Sequence, residues 1–192
     1  LSGTMQSAIQ GRELLEKDKE HVEIIDSNTT AMSLGFQVLT VARAAAQGAS
    51  IAECKALAEK VRAHTGVYFV VDTLEFLHRG GRIGGAQRLL GTALNLKPLL
   101  TVQDGKVEAV ERIRTKAKAV ERLIEIVGEQ TAGKKPVRVA TLHANAEAEA
   151  REILSRVANL TNATESVFTS VSPVVGTHTG PGTVGIAYMA GM

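Results

Sequence analysis

Asp104-Gly105, set between the apolar, β-prone runs 97–102 and 106–112, is the feature that most limits what this chain can fold into. Both positions of a two-residue hairpin turn favour φ > 0, and Asp-Gly supplies that, so the two runs read as an antiparallel pair. Elsewhere strands alternate with helices. Val67-Tyr68-Phe69-Val70-Val71 reads as a buried strand, and 21–25, 137–142, 164–169 and 184–189 as further ones, the first ending in the polar turn Asp26-Ser27-Asn28. Helices are predicted at about 4–17 (capped by Ser2 or Thr4), 31–47, 51–64, 73–78, 86–95, 115–130 and 146–158. Ser50 followed by Glu53 forms a capping box for the third of these, and Gly133 closes the helix opened by Thr115. Alternation gives the α/β class, and the hairpin makes the sheet of the second half mixed. There is no internal repeat and no low-complexity segment.

A chain of 192 residues can bury one large core or two small ones. With 44% hydrophobic and 22% charged residues it has the balance of a folded globular protein. Aromatics make up 3%, with no Trp, so the core has to come from Ala, Val, Leu and Ile. A net charge of +2, without a basic block interleaved with aromatics, argues against nucleic acid. No apolar run approaches the roughly 20 residues of a membrane span, and no signal-peptide pattern opens the chain, so a cytoplasmic location is expected. Cys54, alone in a helical pattern, reads as a small apolar residue. The sequons at Asn159 and Asn162 would matter only in a secreted protein. Leu1-Ser2-Gly3-Thr4 lacks an initiator Met and runs straight into a helix, which suggests a piece of a longer protein.

Two glycine-bordered segments stand out as candidate sites. Gly80-Gly81-Arg82-Ile83-Gly84-Gly85 is not a phosphate loop, since no Gly-Lys-Ser/Thr follows, and the helical pattern before it is wrong for a dinucleotide fingerprint. It reads either as a plain connection or as a mount aiming the Arg82 guanidinium at an anion or a partner. His178-Thr179-Gly180-Pro181-Gly182 reads as a turn that lets a ligand approach the backbone. Ser2-Gly3-Thr4 at a helix start is either a cap or an anion site. His21, His64, His78 and His143 lack ligand-like spacing with Cys54 or carboxylates, so no metal is expected. Ser2 and His178 could belong to a hydrolase, but the Gly-x-Ser-x-Gly elbow is missing.

As a set, Leu1-Ser2-Gly3-Thr4, Asp26-Ser27, Leu77-His78-Arg79-Gly80-Gly81-Arg82-Ile83, Leu94-Asn95-Leu96-Lys97-Pro98-Leu99-Leu100, Asp104-Gly105, Arg112-Ile113-Arg114 and His178-Thr179-Gly180-Pro181-Gly182 resemble the DegV family of bacterial fatty-acid-binding proteins. The match runs in order over essentially the whole chain. Family members carry further N-terminal sequence, with a Thr-Ser-Gln-Pro-like loop at the ligand carboxylate, that is missing here.

The resemblance implies a two-domain α/β protein, with a mostly parallel sheet in the first domain and a mixed sheet with helices in the second. Residues 1–72 would be the remainder of the first domain, completed by the missing segment and by a C-terminal piece, and 73–192 the second. One long-chain fatty acid would lie between them, and no cofactor is implied. Ser2, Gly3, Thr4, His178 and Thr179 would hold the carboxylate. Arg82 and Arg114 would face a partner, a dihydroxyacetone-kinase-like ATP-dependent kinase, or contact the phosphoryl group as the kinase makes the acyl phosphate. The protein would thus be the lipid-binding subunit of a two-component fatty acid kinase feeding phospholipid synthesis, in transient contact with a membrane surface at most. Two other readings stay open: an acyl hydrolase using Ser2 and His178, and a regulatory protein that binds no lipid.

Overall fold

Six strands build a single sheet in the computed structural model, which describes residues 1–90 and 96–192. In chain order the elements are α1 (Thr4–Glu13), α2 (Ala31–Ala46), α3 (Ile51–Val61), β1 (Thr65–Val70), α4 (Glu75–Arg79), β2 (Lys97–Gln103), β3 (Lys106–Ile113), α5 (Lys116–Thr131), β4 (Val137–Ala144), α6 (Glu147–Thr161), β5 (Glu165–Ser170), α7 (Pro173–Thr179) and β6 (Thr183–Ala190). The sheet order is β3-β2-β1-β6-β4-β5, and only β4 and β5 run parallel. The α/β class and the mixed sheet are as expected. The hairpin is also present, with φ of 48° at Asp104 and 71° at Gly105.

β6 lies between β1 and β4, and all eight of its residues are buried, so its sequence is a continuous small and apolar run rather than an alternating one. On one face α5 and α6 cover Val70, Leu99, Val139 and Ile186 with Leu123, Val127, Ile153 and Val157. On the other face two separate clusters form. Phe36 of α2 and Val61 of α3 pack on Val67, Ala140, Leu142, Ala187 and Met189. Leu77, Ile83 and Ala86 pack on Phe69, Leu100 and Val107.

Several expectations need correction. The strand read at 21–25 does not form: Lys19–His21 is a single 3₁₀ turn, and although Val22 is extended, residues 22–25 join no ladder among the described residues. An apolar run becomes a strand only where a neighbour takes its backbone hydrogen bonds. The helix read at 86–95 is a 3₁₀ segment, Gly84–Leu89, and its residues 91–95 lie outside the described residues. α1 ends at Glu13, short of Lys17. Ser2 and Thr4 do not cap it; Gly3 holds the N-cap position with no side-chain bond. Residues 173–179, read partly as a turn, are the helix α7. β1 falls within residues 1–72 yet is a central strand with antiparallel neighbours on both sides, so residue 72 does not divide two sheets, and residues 1–72 contain no parallel sheet among those described.

Candidate functional site

The gap between the two clusters on the α2 side of the sheet is a cavity of about 700 Å³. Val67, Phe69, Val102 and Leu142 project from β1, β2 and β4 to form its floor. Gly185 of β6 lies among them, paired with Phe69 and Leu142. A Cβ there would come within 2.8 Å of both Phe69 Cβ and the Tyr68 carbonyl, so the floor closes only over a glycine. Met5 and Ala8 of α1, Leu34 of α2, and Ile24 and Ile25 from the segment before α2 make apolar walls.

Polar groups line the same space. Ser2, Thr4, Arg82, His178 and Thr179 converge on it, whereas Gly3 and Arg114 are not among the lining residues. Ser2 Oγ donates to Thr4 Oγ1 at 3.0 Å and accepts the Thr4 amide at 3.3 Å. Arg82, expected to point at a partner, donates from Nε to the Leu1 carbonyl at 3.1 Å and from Nη1 to the Gly80 carbonyl at 2.9 Å. The Leu1 nitrogen in turn donates to Gly105 O at 3.0 Å, and the Gly105 amide to Asn28 O at 3.0 Å. This chain of bonds draws residues 1–2, 26–30, 80–82 and the hairpin turn around one opening. Arg114 is exposed and follows the end of β3, on the sheet end shared with Thr183.

His178 sits in the last turn of α7, which Ser172 caps by accepting from Val175 N at 3.4 Å, with Pro173 at the first position. The His178 Nδ1 is buried with no hydrogen-bond partner. That leaves Nε2 as the ring nitrogen able to meet a ligand. The loop after α7 is pinned from below: Lys116 Nζ donates to Gly182 O and pairs with Asp72 Oδ1 at 3.5 Å, and Lys97 pairs with the same oxygen at 3.0 Å. Partial burial pushes the Asp72 carboxyl up, but the hydrogen bond from Lys97 and the charges of Lys116 and Lys97 outweigh it, leaving the group below its ordinary value.

A buried polar atom without a partner calls for an explanation. Three such atoms belong to cavity-lining residues: Thr179 Oγ1 and Thr29 Oγ1, which a ligand in the cavity could satisfy, and His178 Nδ1, which packs against Gly80. Thr29 was missed by the sequence reading, which treated residues 26–28 as a turn. The signal was there, because five consecutive polar residues at 26–30 exceed what a turn needs. Histidine spacing was also misjudged: Asp18, Glu20 and His21 bring metal-type donor atoms within 4.8 Å of one another, on an exposed surface away from the cavity lining.

A family model described as "Uncharacterised protein, DegV family" matches residues 1–191. The chain belongs to the DegV family. It is 39% identical over 190 residues to a DegV domain-containing protein of Clostridium acetobutylicum, covering 98% of this chain and 66% of that one. To the DegV protein of Bacillus subtilis it is 34% identical over 193 residues, covering 98% and 66%. The chain thus spans just under two thirds of the length of these DegV relatives. Among solved structures it is similar to a DegV family protein of Thermus thermophilus, described by its fatty acid binding, with 35% identity, a TM-score of 0.88 and coverage of 98% and 67%. The B. subtilis structure, a fatty acid binding protein, gives 32% identity, a TM-score of 0.87 and coverage of 98% and 67%.

Proposed function

We propose that this DegV chain binds one long-chain fatty acid in the cavity over its sheet, in the cytoplasm, with the carboxylate held by Ser2, Thr4, His178 and Thr179; Gly3, expected to join them, does not line the cavity. The observation that carries the reading is the convergence of Ser2 and His178, far apart in sequence, on one largely apolar cavity. Its volume of about 700 Å³ falls in the range of small-molecule sites. Burying ~14 methylenes at ~0.8 kcal/mol each offers on the order of 11 kcal/mol against the cost of association. The head group needs donors, since an unpaired buried carboxylate is costly.

The donors are hydroxyls, amides and an imidazole. These position a carboxylate without neutralising it, so one oxygen stays nucleophilic. A dihydroxyacetone-kinase-like partner would supply ATP: the carboxylate oxygen attacks the γ-phosphorus, the bond to the β-phosphate oxygen breaks, and acyl phosphate and ADP result. Arg114, exposed and with no side-chain hydrogen bond or ion pair among the described residues, is assigned to the kinase. Arg82 uses two of its five donor hydrogens on carbonyls and keeps the others for the phosphoryl group. The hydrolase alternative is disfavoured because the Ser2 hydroxyl donates to Thr4 and not to an imidazole base.

The test is retention of palmitate by the full-length protein. A hydrogen bond to a charged group contributes about 1.5–3 kcal/mol, so His178→Ala should weaken binding roughly ten- to hundredfold. Unchanged retention in His178→Ala would remove the proposed site.

A further inference from the structure

Gly80 has no backbone reason to be glycine. It follows α4 with φ −77° and ψ −4°, a conformation open to any residue, and alanine would be favoured there on chain entropy. Its reason is a side chain from far along the sequence. A Cβ on Gly80 would collide with His178 Nδ1 and stand 2.9 Å from His178 Cε1. The contact has a counterpart: Gly180, just after α7, lies under the Phe76 ring of α4, and a Cβ there would strike Phe76 Cδ2. Each short helix thus places a ring on the glycine that ends the other. The Gly80 carbonyl also accepts from Arg82, whose Nε holds the Leu1 carbonyl next to Ser2.

We infer that Gly80 is a positioning residue for the ligand site, the seat that fixes the His178 imidazole and links it, through Arg82, to the segment carrying Ser2. With Nδ1 pressed against Gly80 and no acceptor beside it, the ring is held as the tautomer whose proton is on Nε2, because an N–H at Nδ1 would be buried unpaired. Gly80 therefore decides both where the imidazole stands and which nitrogen offers a donor. The inference rests on the fatty-acid reading for its functional consequence, and on packing alone for its structural one.

A double-mutant cycle in the full-length protein tests it, reading palmitate retention, thermal midpoint and the His178 ring signals by nuclear magnetic resonance. Gly80→Ala should lower palmitate affinity by about as much as His178→Ala, and adding it to His178→Ala should change affinity by less than about twofold, since independent effects would simply multiply. Gly80→Ala alone should shift the His178 ring signals and lower the midpoint, and most of the midpoint loss should vanish in the His178→Ala background, where of the close neighbours only the Phe76 carbonyl, 3.1 Å from the Cβ, remains. Wild-type affinity in Gly80→Ala, or an equal loss in both backgrounds, would overturn the inference. If His178→Ala binds palmitate like wild type, the proposed function fails instead. The seating of the ring is then decided by the midpoints, with a loss mostly confined to the His178 background supporting it and an equal loss in both refuting it. Should Gly80→Ala not fold, recovery of the fold in Gly80→Ala/His178→Ala supports the seat and failure to recover overturns it.

Discussion

His178 and Gly185 show how one residue can shape a site either through a side chain or through the lack of one. His178 stood out in the sequence because glycines and Pro181 flank it, and it lines the cavity. Its seat on Gly80 was not, since nothing local reveals which of the chain's 18 glycines a distant ring will occupy. Titration makes two residue-scale predictions. Burial, with Tyr68 stacked at 6.4 Å, pushes the Tyr188 phenol up to about 12, and burial raises Tyr68 as well. The unfolded chain ionises near pH 10 while the fold keeps these protons, so stability falls as pH rises from about 10 toward 12. Phenolate absorbance at pH 10.5 should be small in the native protein and large in denaturant; equal absorbance would contradict the burial. At the acid end, Asp72 is held below its ordinary value, so its contribution is present above about pH 4 and lost as pH falls through the lowered value. Asp72→Asn should flatten the acid limb of the midpoint-versus-pH curve, and an unchanged limb would show that the Lys97 and Lys116 pairs do not stabilise the fold.

At the scale of elements, the parts with a local physical cause were readable. The Ser50–Glu53 capping box is present, with Ser50 Oγ accepting Glu53 N at 3.3 Å and the Ser50 amide donating to Glu53 at 2.8 Å. Ser50→Ala should cost roughly 1 kcal/mol in denaturant unfolding. The apolar period of α5 places Leu123 fully inside the α5–α6 face, and Leu123→Ala should cost about 2–5 kcal/mol by the same measurement. A Leu123→Ala loss below ~1 kcal/mol would mean that this face is not packed as described. Elements that depend on distant partners were misread. Residues 22–25 carry a strand's composition but have no ladder partner among the described residues, and Ile24 and Ile25 become cavity wall instead. α7 was hidden because Gly176 and Thr177 are poor helix formers, although Ser172-Pro173 is a legible start signal.

On the scale of the whole molecule, the sheet has one face filled by α5 and α6 and another where two clusters stand apart and leave a cavity. The strand and helix inventory anticipated a mixed α/β sheet, but no pattern along the chain says that β6 enters the centre, between β1 and β4. That insertion brings α7, with His178, over the same floor as the segment carrying Ser2. Arg114 lies outside the cavity lining, so on the proposed function Arg114→Ala should leave palmitate retention unchanged while slowing acyl-phosphate formation in a coupled assay with the proposed kinase partner; equal loss of both would place Arg114 in the lipid site. The most direct measurement is organic extraction of the purified, natively folded full-length protein, followed by mass spectrometry of what is released. About one long-chain fatty acid per chain is expected, falling sharply in His178→Ala. Protein that folds normally yet releases no fatty acid, and takes up none when palmitate is added, would contradict the account.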